Sequence, residues 1–344
     1  MDLARFRTIT EHYSKLRLAV LGDFCLDRYL EIDPARHESS LETGLPVHNV
    51  VKVRAQPGGA GTILNNLAAL GIGTIFPVGF AGDDGEGFEL CRALEARPGA
   101  DLEFFVRTTQ RRTFTYCKPL VLTANKPPVE LNRLDLKNWT PTPALLQGLL
   151  INRLQEVAGN IDGIIILDQV DIPETGVVTH KVLAAVGRLV EANPKLLILA
   201  DSRRGLRGFP PVIFKMNASE LAALSGASNE TRLDDIKEAA AALAGENGRS
   251  VFVTLAERGI LGTDAIGRSQ HIPALPLRGP IDVVGAGDAV SASLTTAIAA
   301  GADLREALEI ANAAASVVIH KLGVTGTATL GEIESLLTPA TENI

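Results

Sequence analysis

Cysteine is nearly absent from this chain of 344 residues, and the three present, Cys25, Cys91 and Cys117, lie far apart and cannot all pair. Neither a disulfide framework nor a cysteine metal site fits that spacing, so a reduced, cytoplasmic setting is expected. The six histidines are scattered and form no HExxH pair, which argues against a transition metal held by protein ligands. No stretch approaches the roughly 20 apolar residues that span a bilayer. The opening MDLARFRTITEHYSKL lacks the apolar core of a signal peptide. Basic runs are missing too. Arg203-Arg204 is the longest and the net charge is −7, so neither nucleic acid nor a membrane is an expected partner. A small anion stays compatible with an acidic protein, because a local cradle of donors can bind it.

What is present is ordinary globular material, 46% hydrophobic and 21% charged, enough for a sizeable core. The length suits one α/β domain with a small accessory element. The most informative stretch is residues 281–301, IDVVGAGDAVSASLTTAIAAG. Asp282 opens a glycine-rich turn, Gly285-Ala286-Gly287. Asp288 follows where a helix of small residues, from Ala289 to Ala300, should begin, with Gly301 as its stop. Amides at a helix N-terminus have no partner inside the helix, and the macrodipole adds partial positive charge there. Glycines let a phosphate come close to those donors. A carboxylate on the first turn can take a proton from a hydroxyl held beside the phosphate, which is the layout phosphoryl transfer requires. Read alone, the segment is also a tight turn followed by an ordinary first-turn acid.

Its surroundings favour the first reading. D-x-x-G-A-G-D ahead of a helix rich in Ala and Ser resembles the second signature of the ribokinase-type (PfkB) carbohydrate kinases, with Val283 in place of the usual Thr. The resemblance implies that Asp288 is the catalytic base. It also implies that the amides of Gly285, Ala286 and Gly287 form an anion hole, and that Asp282 and Gly287 face the nucleotide. The segment PGGAGTILNNLAALG (57–71) reads as a tight Gly58-Gly59 turn and a helix stopped by Gly71. It resembles the first family signature, whose di-glycine backbone lies against the sugar. Thr62 stands where the family commonly has Asn, a sugar contact, and Asn66 lies on another face of the helix.

In chain order, residues 1–16 read as an amphipathic helix and residues 17–23 as a central strand with its exit turn. Asp27 lies just beyond, where open α/β sheets place their ligands. It is a turn aspartate or, as the resemblance implies, a carboxylate that accepts two hydrogen bonds from sugar hydroxyls. Short strands at 29–32 and 46–53 break the βα alternation and are assigned to a β-lid that would exclude water from the transfer. Cys25, near the same pocket, reads as a buried apolar side chain. Further strands are expected at 102–106 and 113–121. Arg112 is either solvated or turned toward a substrate phosphate, with Lys118 as a second candidate.

From Pro143 onward, helices at 145–157, 176–191, 218–224 and 233–244 alternate with strands at 163–167, 195–200, 212–216 and 250–255, which argues for a parallel, doubly wound sheet. KMNASE (215–220) resembles the family's N-x-x-E motif through Asn217 and Glu220, positions near the ATP phosphates and Mg²⁺, with Glu220 acting through metal-bound water. The same two residues also read as a capping box. VTLAERG (253–259) resembles the strand and turn near the nucleotide, giving Thr254 and Gly259, with Ala256 where many members have Gly. A small-residue helix expected across 311–328, ending in Lys321-Leu322-Gly323, resembles the segment bordering the adenine, with Asn312 as the candidate contact.

The expected fold is α/β, a doubly wound, mostly parallel sheet flanked by helices, ribokinase-like, with a small β-lid. Residues 1–344 would form one domain, with the lid inserted from roughly 29–53 and 103–135. The expected chemistry is transfer from ATP, with Mg²⁺, to a hydroxyl of a sugar or sugar phosphate. GDFCLDRY, RLD (133–135) and HKLG are most similar to the bacterial heptose-phosphate kinases, although Asp168-Gln169-Val170-Asp171 replaces their usual D-Y-x-K-G. The resemblance also leads to the expectation of no fused nucleotidyltransferase domain, and an exposed lid has edges that a lid-to-lid homodimer would protect. A catalytically idle sugar-binding or regulatory protein on the same fold is the alternative. An NAD-dependent Rossmann enzyme is disfavoured, because no GxGxxG follows the first strand.

Overall fold

The first strand shows why the fold has two covered faces. In the computed structural model, which describes residues 1–226, 232–323 and 325–337, α1 (Leu3–Thr10) leads into β1 (Arg17–Gly22). Leu18 and Val20 of β1 enter one apolar core, while Ala19 and Leu21 enter another on the opposite side. A period of two with apolar residues at every position is what a strand covered on both faces needs.

After a single residue, Asp23, the chain enters β2 (Phe24–Ile32). A small ladder of β3 (Glu38–Ser39) and β4 (Pro46–Val47) precedes β5 (Val50–Gly59), which runs straight into α2 (Ala60–Ala69). β6 (Thr74–Val78), β7 (Phe80–Gly82), α3 (Gly85–Glu95), β8 (Val106–Thr108), β9 (Phe114–Val121), β10 (Val129–Glu130) and β11 (Leu134–Leu136) follow. Alternation then takes over: α4 (Ala144–Ala158), β12 (Gly163–Asp168), α5 (His180–Ala192), β13 (Leu197–Ser202), β14 (Ile213–Asn217), α6 (Ala218–Ser225), α7 (Leu233–Asn247) and β15 (Val251–Thr254). β16 (Ile260–Thr263) and β17 (Ser269–Ile272) precede α8 (Ala286–Ala299), α9 (Leu304–Val318) and α10 (Leu330–Leu337).

The main sheet has the order β17-β16-β15-β14-β13-β12-β1-β6. It is parallel from β6 to β15 and antiparallel at β15, β16 and β17. α1, α2, α8 and α9 cover one face through residues such as Phe6, Ile63, Leu294 and Leu308. α4, α5 and α7 cover the other through Leu150, Val186 and Ile236. The second sheet is the lid, β10-β9-β2-β5 with β11 also on β9. Its strands place Asp27 beside Gln56 and Tyr116, and Tyr29 beside Arg54 and Lys118, on one face.

Several expected boundaries moved, each for a local reason. No strand spans 102–106: Asp101 caps a 3-10 turn there (Leu102–Phe104), and β8 pairs with β7 outside the lid. Gly58-Gly59 is the end of β5, not a free turn, paired with Cys25 and Phe24. α5 starts at His180 because Thr179 accepts from the Val182 amide. α9 begins at Leu304, set by a reciprocal Asp303–Glu306 capping box, and ends at Val318. Asp27 stands within β2, on the lid itself.

Candidate active site

The C-terminal ends of the parallel strands meet the N-terminus of α8. Gly285 takes a left-handed conformation (φ +83°) as the N-cap, and α8 starts at Ala286 with Asp288 as its third residue. The Ala286 amide is turned back onto the Val283 carbonyl at 3.2 Å. The Gly287 and Asp288 amides are among those that helix geometry leaves without an intrahelical partner. Asp282 holds the turn from its other end, accepting from the Val284 amide at 3.1 Å while its own amide donates to Ile319.

Lys215 was not singled out from the sequence, yet it is central here. It rises from the middle of β14, is almost wholly buried, and pairs with Asp201 of neighbouring β13 at 2.6 Å. Ser291 of α8 also donates to Asp201, at 3.3 Å. A Cβ on residue 287 would stand 3.0 Å from the Lys215 ammonium, so glycine there lets the cation lie against the turn. Burial opposes the Lys215 charge, but the Asp201 carboxylate outweighs it and the pKa is raised. Asp288 is pushed up to about 7, first by burial and then by Asp201 and Asp27, with Lys215 acting the other way. An acid poised there can accept a proton near neutral pH. The signal for Lys215 was a charge inside the apolar strand run VIFKMN.

On the lid, Asp27 is buried and its pKa is raised, chiefly by burial, with Lys118 opposing from 3.4 Å. Gly58 lies tight beneath it: a Cβ would come within 2.8 Å of Asp27 Oδ2 and 2.9 Å of Cys25 Sγ. Gly59 adopts φ +57° and brings the start of α2 onto the carbonyl of Asp23. Thr62, buried on the first turn of α2, borders the Gly285 turn. Asn66 bonds back to the Thr62 carbonyl. Lys118 and Arg54 both lie over the Tyr29 ring, at 4.9 and 4.7 Å. Arg112 is not brought to this pocket's Asp27; its side chain is exposed and lies 3.9 Å from Asp84.

Of the nucleotide-side candidates, Glu220 is near enough to Lys215 and Asp201 for their charges to act on it. Asn217 and Glu220 make a reciprocal capping box at the start of α6, at 2.7 and 2.9 Å. Glu220 has a raised pKa, mainly from burial. Among the described residues no group of three acidic, His or Cys side chains could hold a metal ion by itself. The lone Glu220 carboxylate at the start of α6 is the kind of donor that suits Mg²⁺, which keeps its waters and takes much of its shell from phosphates. Thr254 ends β15 in register with Asn217. Asn312 donates to the Pro273 carbonyl at 2.9 Å, fixing the segment beyond β17. Gly259 (φ +92°) closes against the Ile272 carbonyl, where no Cβ would fit.

Ala256, in the same turn, has φ +52°. A left-handed alanine costs about 1–2 kcal/mol, partly offset in a glycine variant by greater freedom of the unfolded chain. Ala256→Gly is therefore expected to stabilise the protein by about 0.5–1 kcal/mol, read as a higher denaturant midpoint at unchanged slope.

Residues 16–329 match the profile described as pfkB family carbohydrate kinase. The chain is a PfkB family carbohydrate kinase. The kinase is 30% identical over 321 residues to "Bifunctional protein HldE" of Azorhizobium caulinodans, covering 93% of this chain and 64% of that protein. It is 32% identical to the protein of the same name from Gluconacetobacter diazotrophicus, over 93% of this chain and 63% of that one. The kinase thus spans a little under two-thirds of these relatives. Its fold is shared with Arabidopsis thaliana ribokinase complexed with ribose and ATP (TM-score 0.66, 20% identity, 94% of this chain and 99% of that one). It is shared equally with Escherichia coli phosphofructokinase-2 in complex with fructose-6-phosphate (TM-score 0.69, 19% identity, 93% and 98%). No helix among the described residues is long and apolar enough to cross a membrane.

Proposed function

We propose that this kinase transfers the γ-phosphoryl group of ATP to a hydroxyl of a sugar phosphate, with a heptose phosphate as the first acceptor to try. The observation that carries the reading is one juxtaposition: the Asp288 carboxyl, the Gly287 turn and the buried Lys215 ammonium at the start of α8. Asp288 accepts the hydroxyl proton. The amides of Gly285 and Gly287 and the Lys215 ammonium hold the charge that develops on the transferring group, while the Ala286 amide stays on the Val283 carbonyl. Asp27 orients the acceptor from the lid, above the close-set Gly58, with Thr62 bordering the pocket's inner end. Asn217, Glu220, Thr254, Gly259 and Asn312 form the nucleotide side. Mg²⁺, held near Glu220 mainly through water, would neutralise phosphate charge.

An anionic acceptor is favoured by Lys118, which lies over Tyr29 beside Asp27; Arg54, on the same ring, is paired with Glu31 at 2.5 Å. Similarity to the HldE relatives over 64% of their length supports the same choice. The reaction draws on ATP and therefore belongs in the cytosol, and two lids pairing edge to edge would give a homodimer. ATP turnover against a panel of free sugars, pentose, hexose and heptose phosphates tests the reading. Turnover with a phosphorylated sugar at least tenfold above its unphosphorylated counterpart is expected. ADP release no faster with any acceptor than with water would leave the idle, sugar-binding alternative.

A further inference from the structure

Lid and body also meet across a chain of charges that takes no part in the transfer described above. Arg133, just before β11, holds Asp135 through both carboxylate oxygens, at 2.7 and 2.8 Å. Lys137, just after β11, lies 3.8 Å from Asp135 and 2.8 Å from Asp171, which is on the loop after β12. Arg203, beyond β13, meets Asp171 from the body side at 3.3 Å. The order is cation, anion, cation, anion, cation. The first three members travel with the lid and the last two with the body.

The loop that carries Asp171 is itself fixed. Asp23, the single residue between β1 and β2, is buried and accepts from the amides of Gln169, Val170 and Val177, at 2.8, 3.3 and 2.6 Å. Asp171 is thus anchored to the point from which the lid springs, and through Lys137 it reaches the lid's far edge. A cleft of about 70 Å³ lies at this junction, lined by Tyr116, Lys137, Trp139, Val170 and Asp171 among others. An isolated exposed ion pair is worth little, but a network with a bidentate arm is the case in which such pairs count. Lys137 and Asp135 are partly shielded, at 26% and 18% side-chain exposure, whereas Asp171 and Arg203 are open to solvent, at 44% and 57%, so the network should respond to added salt.

We propose that Asp171 is a positioning residue for the acceptor pocket: through Lys137 it ties the lid sheet to the body and so sets the stance of Asp27 and Lys118 over the acceptor. The inference rests on the acceptor-side reading of Asp27, but its first test does not use catalysis. Removing the Asp171 charge takes away the anion that Lys137 and Arg203 share, and leaves Lys137 with Asp135 at 3.8 Å. Removing Lys137 leaves Asp171 still neutralised by Arg203. Asp171→Asn should therefore loosen the lid more than Lys137→Met.

Amide hydrogen exchange on the unliganded protein reads this directly. Asp171→Asn should speed exchange in β2, β9 and β11 by about fivefold, with β12 and β13 unchanged. Asp171→Glu should restore wild-type rates, and the Asp171→Asn/Lys137→Met double variant should exchange no faster than Asp171→Asn alone. Added salt should bring wild-type lid exchange toward that of Asp171→Asn, because it screens the network. In the kinase assay Asp171→Asn should raise the acceptor KM about fivefold and leave kcat within about twofold. Wild-type lid exchange in Asp171→Asn, or effects of the two substitutions that multiply in the double variant, would overturn the proposal. So would a fall in kcat with the acceptor KM unchanged.

Discussion

Replacing Asp288 with Asn should cut phosphoryl transfer by about 10²–10⁴-fold, with ATP affinity close to wild type. The side chain keeps its shape but can no longer take the hydroxyl proton. Wild-type activity should rise with pH through about 7, where Asp288 ionises, and that limb should vanish from the residual rate of the variant. Stability should move the other way. The folded Asp288 binds its proton more tightly than the unfolded one, so ionising it in place opposes folding, and the cost grows as pH rises from about 4 to about 7. Asp288→Asn should therefore raise the thermal midpoint at pH 8, by an amount that shrinks toward pH 4. A variant with wild-type turnover, or one whose stability gain is the same at both pH values, would remove Asp288 from the role assigned to it.

Lys215→Met should damage both chemistry and folding. Loss of one donor to a developing anionic charge lowers turnover by about 10²–10³-fold. The same change strands the Asp201 carboxylate in a largely buried site, and breaking a buried pair from one side costs about 3–5 kcal/mol. The stability loss should be largely recovered in Lys215→Met/Asp201→Asn, whereas turnover should not be. The two partners also pull the Asp288 proton in opposite directions. Lys215→Met should move the acidic limb of the pH–rate profile upward, and Asp201→Asn should move it downward. Chemical denaturation and initial rates measured across pH on the same three proteins decide this. Equal shifts in one direction from both single variants would contradict the arrangement.

What could be read in the sequence was what sits within one turn of chain. The glycine turn, the acid and the small-residue helix are neighbours in sequence, so their order was legible, although α8 starts at Ala286 and takes in Asp288, which the sequence placed just ahead of a helix from Ala289. The doubly wound sheet was visible for a similar reason, because each strand carries its own apolar run. Lys215 was different. Its meaning depends on β13 lying beside β14 and on α8 arriving from much further along the chain, none of which the KMNASE segment shows. Asp23 was hidden likewise, since all three of its amide donors come from the loop after β12. Where strand and helix limits shifted, a cap decided the outcome: Asp101 turned an apolar stretch into a 3-10 turn, and Thr179 delayed α5. The choice between Arg112 and Lys118 needed the register of β9 against β2, which puts Lys118 beside Tyr29 and leaves Arg112 before the strand begins.

The link between β1 and β2 is a single residue, and β5 passes into α2 with none at all. The roof of the proposed acceptor pocket is therefore continuous with β1, the strand next to the sheet's β6 edge, at one end and with α2, which borders the Gly285 turn, at the other. Acceptor preference should consequently be inherited as a cassette. A chimaera between relatives would carry it intact when the exchange is cut at Asp23 and Gly59 and again on either side of the β9–β11 segment. Cuts placed inside β2 or β5 would divide the pocket between two parents.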